Sequence, residues 1–216
     1  MKSMSFACIR LRVILIFKES GLPASFRRKS KSWWADWAPG FRLMNIVLIG
    51  YRGTGKSVLS RLLAKQLKRE RYGLDEWIVQ EAGKPVPEIV KLWGWGRFRE
   101  IEREVVKKVS ARARDSVIDC GGGIVLDMRN VADLKRYGRI VLLTAETEKV
   151  LQRIGHDANR PPLKEGLSFE EEQRQILADR EPKYRAAADC VFDTTDTTPQ
   201  ETAKTVLGHF KKEGWL

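Results

Sequence analysis

One octet limits the fold of this chain more than any other feature. Gly50-Tyr-Arg-Gly-Thr-Gly55-Lys56-Ser57 has the spacing GxxxxGK[ST], and it follows Asn45-Ile-Val-Leu-Ile49, a continuous apolar run that reads as a strand buried on both faces. Lys56 to about Arg69 then carries helical spacing at Val58, Leu59, Leu62, Leu63 and Leu67. A glycine loop between a strand and a helix turns successive backbone N–H groups inward, beside a helix N-terminus that favours anions. In such a loop Lys56 reaches the β/γ-phosphates of a nucleoside triphosphate, and the Ser57 hydroxyl is a ligand for Mg²⁺.

The rest of the chain continues the alternation. Ser116–Asp119 and Arg139–Leu143 read as further buried strands, and Asp189–Asp193 as a last one. Between them Phe98, Ile101, Val105 and Val109 make an apolar helical stripe, and Ser168 with Glu171 makes a capping box before Ile176 and Leu177. Thr198 to Lys211 reads as a closing helix. Strands alternating with helices mean a parallel sheet covered on both faces. The expected fold class is therefore α/β: a three-layer α/β/α P-loop fold with a parallel sheet of about five strands. Gly155 to Gly166, with two adjacent prolines and no period, is expected to be a mobile lid.

Composition removes several other classes. The 216 residues suffice for a core without staples, and no apolar run approaches the roughly 18 residues of a bilayer span. Cys8, Cys120 and Cys190 form no CxxC pair, and His156 and His209 stand alone, so neither a disulfide framework nor a zinc site is indicated. Nine of the 40 Lys and Arg residues but only two of the 28 Asp and Glu lie in residues 1–43, which thus carry +7 of the net +12. This leader also holds Trp33, Trp34 and Trp37. It is expected to lie outside the fold, with 44–216 as the functional domain; organelle targeting and a basic-aromatic anchor stay open as alternatives.

Three smaller clusters accompany the loop. Ser116-Val-Ile-Asp119 is an apolar strand ending in an acid, suited to the magnesium shell of a P-loop fold, and Gly121–Gly123 behind it permits close backbone approach by a ligand. Arg99 and Glu102 lie at i, i+3, where a carboxylate can fix a guanidinium; a solvated surface pair has the same spacing. Arg180 sits in Arg-Glu-Pro-Lys-Tyr184, and Asp75 could be a helix N-cap and nothing more.

Together these segments resemble the shikimate kinase family over essentially all of 44–216. The pattern runs through the P-loop, an Asp-x-Asp matched by Gly73-Leu74-Asp75, Phe98-Arg99-Glu-Ile-Glu102, Gly121–Gly123, a lid Arg160-Pro161, and Arg180-Glu-Pro-Lys-Tyr184. The resemblance implies ATP-dependent phosphorylation of the 3-hydroxyl of shikimate, with Mg²⁺ as cofactor. It implies that Gly53, Thr54, Gly55, Lys56, Ser57 and Val58 hold ATP, with Arg153 and Pro199 bordering adenine and Arg160 closing on the phosphates. Lys56, Asp75 and Arg160 would be catalytic, Asp75 orienting or deprotonating the attacking hydroxyl. Arg99, Arg180 and the backbone of Gly121, Gly122 and Gly123 would clamp the shikimate carboxylate, as two convergent arginines do well. Ser57 and Asp119 are the expected metal residues.

Two departures stand out. Gly73 occupies the place of the first acid of Asp-x-Asp, near the magnesium waters, and Asp119 is the candidate to compensate from the adjacent strand. The lid reads Arg-Pro-Pro-Leu rather than Arg-Pro-Leu-Leu, which spares the arginine. Gluconate kinase and adenylate kinase share a P-loop and a lid, but a nucleotide acceptor has no counterpart to Asp75, Arg99 and Arg180. A nucleotide-binding module weakened by Gly73, and a nucleic-acid protein supported by charge alone, complete the alternatives. The expected partners are ATP and shikimate, with no nucleic acid and no stable membrane association, in a cytoplasmic monomer.

Overall fold

The computed structural model describes residues 44–155 and 168–216. Five strands form one sheet: β1 (Asn45–Gly50), β2 (Arg71–Gly73), β3 (Val117–Asp119), β4 (Gly138–Thr144) and β5 (Cys190–Asp193). All pairings are parallel, in the order β2-β3-β1-β4-β5. The helices are α1 (Lys56–Leu67), α2 (Leu74–Ala82), α3 (Val86–Arg112), α4 (Met128–Lys135), α5 (Thr147–Ile154), α6 (Phe169–Ala187) and α7 (Pro199–Lys212).

Alternation along the central strand builds two cores. Val47 and Ile49 of β1 join Ile118, Ile140 and Leu142 under α2 to α6, while Ile46 and Leu48 join Val117, Val141 and Leu143 under α1 and α7. Every residue of β1 is buried, so its run is apolar throughout rather than alternating. Phe210 of α7 is wholly buried in the second core, a burial worth about 1.5–3 kcal/mol. The α/β fold, with helices on both faces of a parallel sheet, is the one the sequence predicts.

The strand order also places the site. β3 and β4 flank β1 on opposite sides, so the chain leaves β1 toward one edge and returns toward the other, and a crevice opens at the carboxyl ends of the strands. The P-loop leaves β1 there, next to the ends of β2 and β3.

Local differences from the sequence reading have physical causes. Helix α1 stops at Leu67 because Lys68 turns left-handed (φ 54°), with its N–H on the carbonyls of Ala64 and Lys65. Asp75 is not an N-cap: Gly73 holds that position and Asp75 lies in the first turn of α2. Helix α3 is interrupted at Gly94 (φ 75°), ahead of the stripe from Phe98 to Val109. The capping box of Ser168 and Glu171 is present at the start of α6. The basic leader and the lid expectation, with Arg160 and Pro161, lie outside the described residues, apart from Gly155. Among the described residues, no helix is long and apolar enough to cross a membrane.

Candidate active site

The loop is shaped by its glycines and fastened by its side chains. Gly53 (φ 80°) and Gly55 (φ 86°) take left-handed backbone conformations that side chains other than glycine adopt only with strain, and Gly55 is the N-cap of α1. Thr54 Oγ1 and Lys56 Nζ both donate to the Tyr51 carbonyl at 2.7 Å, which holds the loop curled around the lysine. Arg153 of α5 donates to the carbonyls of Gly53 (3.3 Å), Thr194 (2.7 Å) and Thr195 (2.9 Å), tying the loop to the segment that leads into α7 at Pro199.

In front of the loop lies a cavity of about 330 Å³. Gly53, Gly55, Lys56, Ser57 and Val58 form one wall, and Asp75, Asp119, Gly121 and Gly122 face them. The structure thus brings the expected phosphate loop, acceptor acid and metal residues around one space. Gly123, with Arg99 against it, and Arg180, bonded to Gly122, stand outside this wall, and Arg153 and Pro199 do not line it either.

Close packing explains the triplet. A Cβ on Gly121 would come within 2.6 Å of Asp75 Oδ1, and one on Gly123 would run into the Arg99 guanidinium. Arg180 Nη1 donates to the Gly122 carbonyl at 3.0 Å, and the Tyr184 hydroxyl donates to the same oxygen. Arg180 and Tyr184 are i, i+4 on α6, so one helical face carries both. Burial pushes the Tyr184 hydroxyl up to about 12, against the pull of Arg180, so it stays a donor. Arg99 and Glu102 are no solvated surface pair. Their contact is 2.7 Å and the Glu102 side chain is 2 % exposed. Burial raises the Glu102 pKa above the ordinary carboxylate value while Arg99 opposes the rise. Arg99 also lies over Trp95 and Phe98, which limits its swing.

The other end of the cavity is organised by a residue that no sequence motif singles out. Arg71 Nη2 meets Asp119 Oδ2 at 2.8 Å, its Nη1 meets Glu76 Oε1 at 2.9 Å, and its Nε donates to Ser60 Oγ at 2.7 Å. The single Ser60 hydroxyl proton lies within reach of both Asp119 Oδ2 (3.2 Å) and the Ser57 carbonyl (3.0 Å), one of which accepts it. The register pairs Gly73 of β2 directly with Asp119 of β3, so the acid absent from one strand stands beside its place on the next. The only sequence signal for Arg71 is its i, i+2 relation to Gly73, which puts both on one face of a strand. Cys120 is fully buried with a strongly raised pKa, caused by burial, so its thiol is not a nucleophile.

A P-loop leaving the centre of a parallel sheet, an acid across the cavity and arginines behind it define a small-molecule phosphotransferase of the P-loop kinase class. The shikimate kinase family model matches residues 52–211. A shikimate kinase of Thermodesulfovibrio yellowstonii is 36% identical over 170 residues, covering 79% of this chain and 96% of the relative. One of Francisella tularensis subsp. holarctica is 38% identical over 161 residues, 73% of this chain and 89% of the relative. Among solved structures, shikimate kinase of Acinetobacter baumannii in complex with shikimate superposes with a TM-score of 0.74 at 32% identity, covering 79% of this chain and 94% of that one. The chain belongs to the shikimate kinase family.

Proposed function

We propose that this chain transfers the γ-phosphoryl group of ATP to the 3-hydroxyl of shikimate, giving shikimate 3-phosphate and ADP. Family membership supports the reaction, as does the shikimate bound to a relative of 32% identity. The observation that carries it within this chain is the convergence of Asp75, Arg99 and Arg180 on Gly121–Gly123, across one cavity from Lys56.

The residues divide the work. Arg99, fixed by the buried Glu102, and Arg180, fixed on Gly122, offer planar donors to a carboxylate at one end of the acceptor. That anchoring directs the acceptor hydroxyl toward Asp75, which orients it and takes its proton as the bond to phosphorus forms. The bond from phosphorus to the ADP oxygen breaks in the same event, and Lys56 with the loop N–H groups meets the charge on the phosphoryl oxygens. Arg153 and Pro199 border the adenine in this reading.

Magnesium fits the donor set. Ser57 and Asp119 line the cavity beside the loop, and their hard oxygens suit a cation that ordinarily keeps several waters and takes one or two protein ligands. Among the described residues, no three His, Cys, Asp or Glu gather into a metal cage. When bound, the ion neutralises phosphate charge; Ser57 and Asp119 would hold it.

We also assign catalysis to residues 44–216, which hold the lining of the cavity, and propose a cytoplasmic monomer. Removing residues 1–43 should leave activity intact and abolish any binding to nucleic acid. The direct test is ADP release by the full chain offered shikimate, gluconate and AMP in turn. Release with shikimate is expected; release only with gluconate or AMP, or ATP binding without release, would reject the reading.

A further inference from the structure

Position 73 is glycine for a reason its backbone does not supply. Its φ of −89° and ψ of 107° suit any residue. What a side chain there would meet is the Glu76 carboxylate: a Cβ would lie 2.8 Å from both its Cδ and Oε2, and 3.0 Å from Arg71 Nη2. Glu76 belongs to the first turn of α2, where a side chain is free to extend into solvent. Instead it folds back over Gly73, and Arg71 Nη1 holds both of its oxygens, at 2.9 and 3.0 Å.

We propose that Glu76, laid over Gly73 and held there by Arg71, supplies the outer carboxylate for the phosphate-bound magnesium ion in place of the acid missing at position 73. The inference rests on the phosphoryl-transfer reading. Three observations carry it. Glu76, Gly73, Asp119 and Ser57 line the same cavity, so the carboxylate belongs to the phosphate space and not to a remote surface. Arg71 donates to Glu76, Asp119 and Ser60, and Ser60 Oγ lies 3.0 Å from the Ser57 carbonyl, which fixes the orientation of the acids relative to the metal serine. Charge is the third. Two carboxylates and one guanidinium leave a single net negative charge, the same as one aspartate would bring. The Glu76 side chain is 59 % exposed, so it can accept a hydrogen bond from a water on the ion, and Asp119, at 7 %, is the inner member of the pair. Glu76 is thus a positioning residue that acts through metal-bound water.

The test follows Mn²⁺ binding to the full chain saturated with ADP, read as loss of the free-ion EPR signal, with Mg²⁺ as competitor. Three proteins are compared: the unaltered chain, Glu76→Gln, and Glu76→Ala combined with Gly73→Asp. Glu76→Gln should weaken ion binding about tenfold without lowering the melting temperature, because an outer acid typically contributes on that scale. The double variant should restore binding to within about twofold, since Glu76→Ala removes the carboxylate that a side chain at 73 would meet and makes room for an acid there. Unchanged binding in Glu76→Gln would overturn the inference alone, and so would a loss that Gly73→Asp does not restore. Absence of nucleotide-dependent Mn²⁺ binding in the unaltered chain would overturn the phosphoryl-transfer reading and this inference with it.

Discussion

The two ends of the cavity are built by opposite strategies. At the acceptor end, Asp75, Arg99 and Arg180 pack directly against three glycines, and the supporting Glu102 and Tyr184 are 2 % exposed. At the metal end, a guanidinium joins two carboxylates across strands β2 and β3, and one of them, Glu76, is more than half exposed. Arg99 is itself 27 % exposed, but its buried support Glu102 and the glycine it packs against leave little room for an exchange of residues. A partly solvated cluster of like charges around one cation can take its acid from another position as long as net charge and reach are kept. On this reading the metal end is where a departure such as Gly73 can be accommodated, because Glu76 reaches the same space.

Three perturbations probe the contrast, in order of decreasing effect. Asp75→Asn removes the group that takes the acceptor proton, and kcat should fall by about a thousandfold while shikimate KM moves far less. Gly123→Ala introduces no backbone strain at φ −107° but drives a methyl group into the Arg99 guanidinium. Shikimate KM should rise roughly ten- to a hundredfold, with the magnesium requirement unchanged. The smallest effect concerns Glu102. Burial raises its pKa above the ordinary 4.5, so folding favours its protonated form. Its contribution to stability is therefore full below 4.5 and is lost as pH rises through the raised value. In Glu102→Gln that loss is absent, and the melting temperature of the variant relative to the unaltered chain should climb with pH across this window. A flat or falling difference would mean that the pull of Arg99, and not burial, sets the proton affinity of Glu102.

Much of this architecture can be read from the sequence, and what cannot has a common cause. Strands β1, β3, β4 and β5 announce themselves as apolar runs, and the loop from Gly50 to Ser57 carries its own spacing. Strand β2 is Arg71-Tyr-Gly73, three residues with no apolar run to mark it. The roles of Arg71 and Glu76 depend on the register that sets Gly73 beside Asp119, and register is a property of two strands that neither states alone. The meaning of Arg99 and Glu102 is likewise undecided by spacing, since a surface pair has the same i, i+3 relation; burial of Glu102 decides it. His209, isolated in the sequence, packs edge-on to Phe192 and Trp215 and belongs to the second core.

Calorimetric titration of two ligands into two variants tests the division of the cavity most directly. Shikimate and Mg·ADP would each be titrated into Arg99→Lys and Asp119→Asn. Arg99→Lys should lose shikimate affinity about tenfold or more, because a point cation replaces a planar fork, and should keep Mg·ADP affinity within about twofold. Asp119→Asn should do the reverse, with Mg·ADP weakened about tenfold and shikimate unaffected. If either variant weakened both ligands alike, the two ends of the cavity would be one energetic unit, and their division into an acceptor clamp on buried supports and a metal cluster that reaches solvent through Glu76 would be wrong.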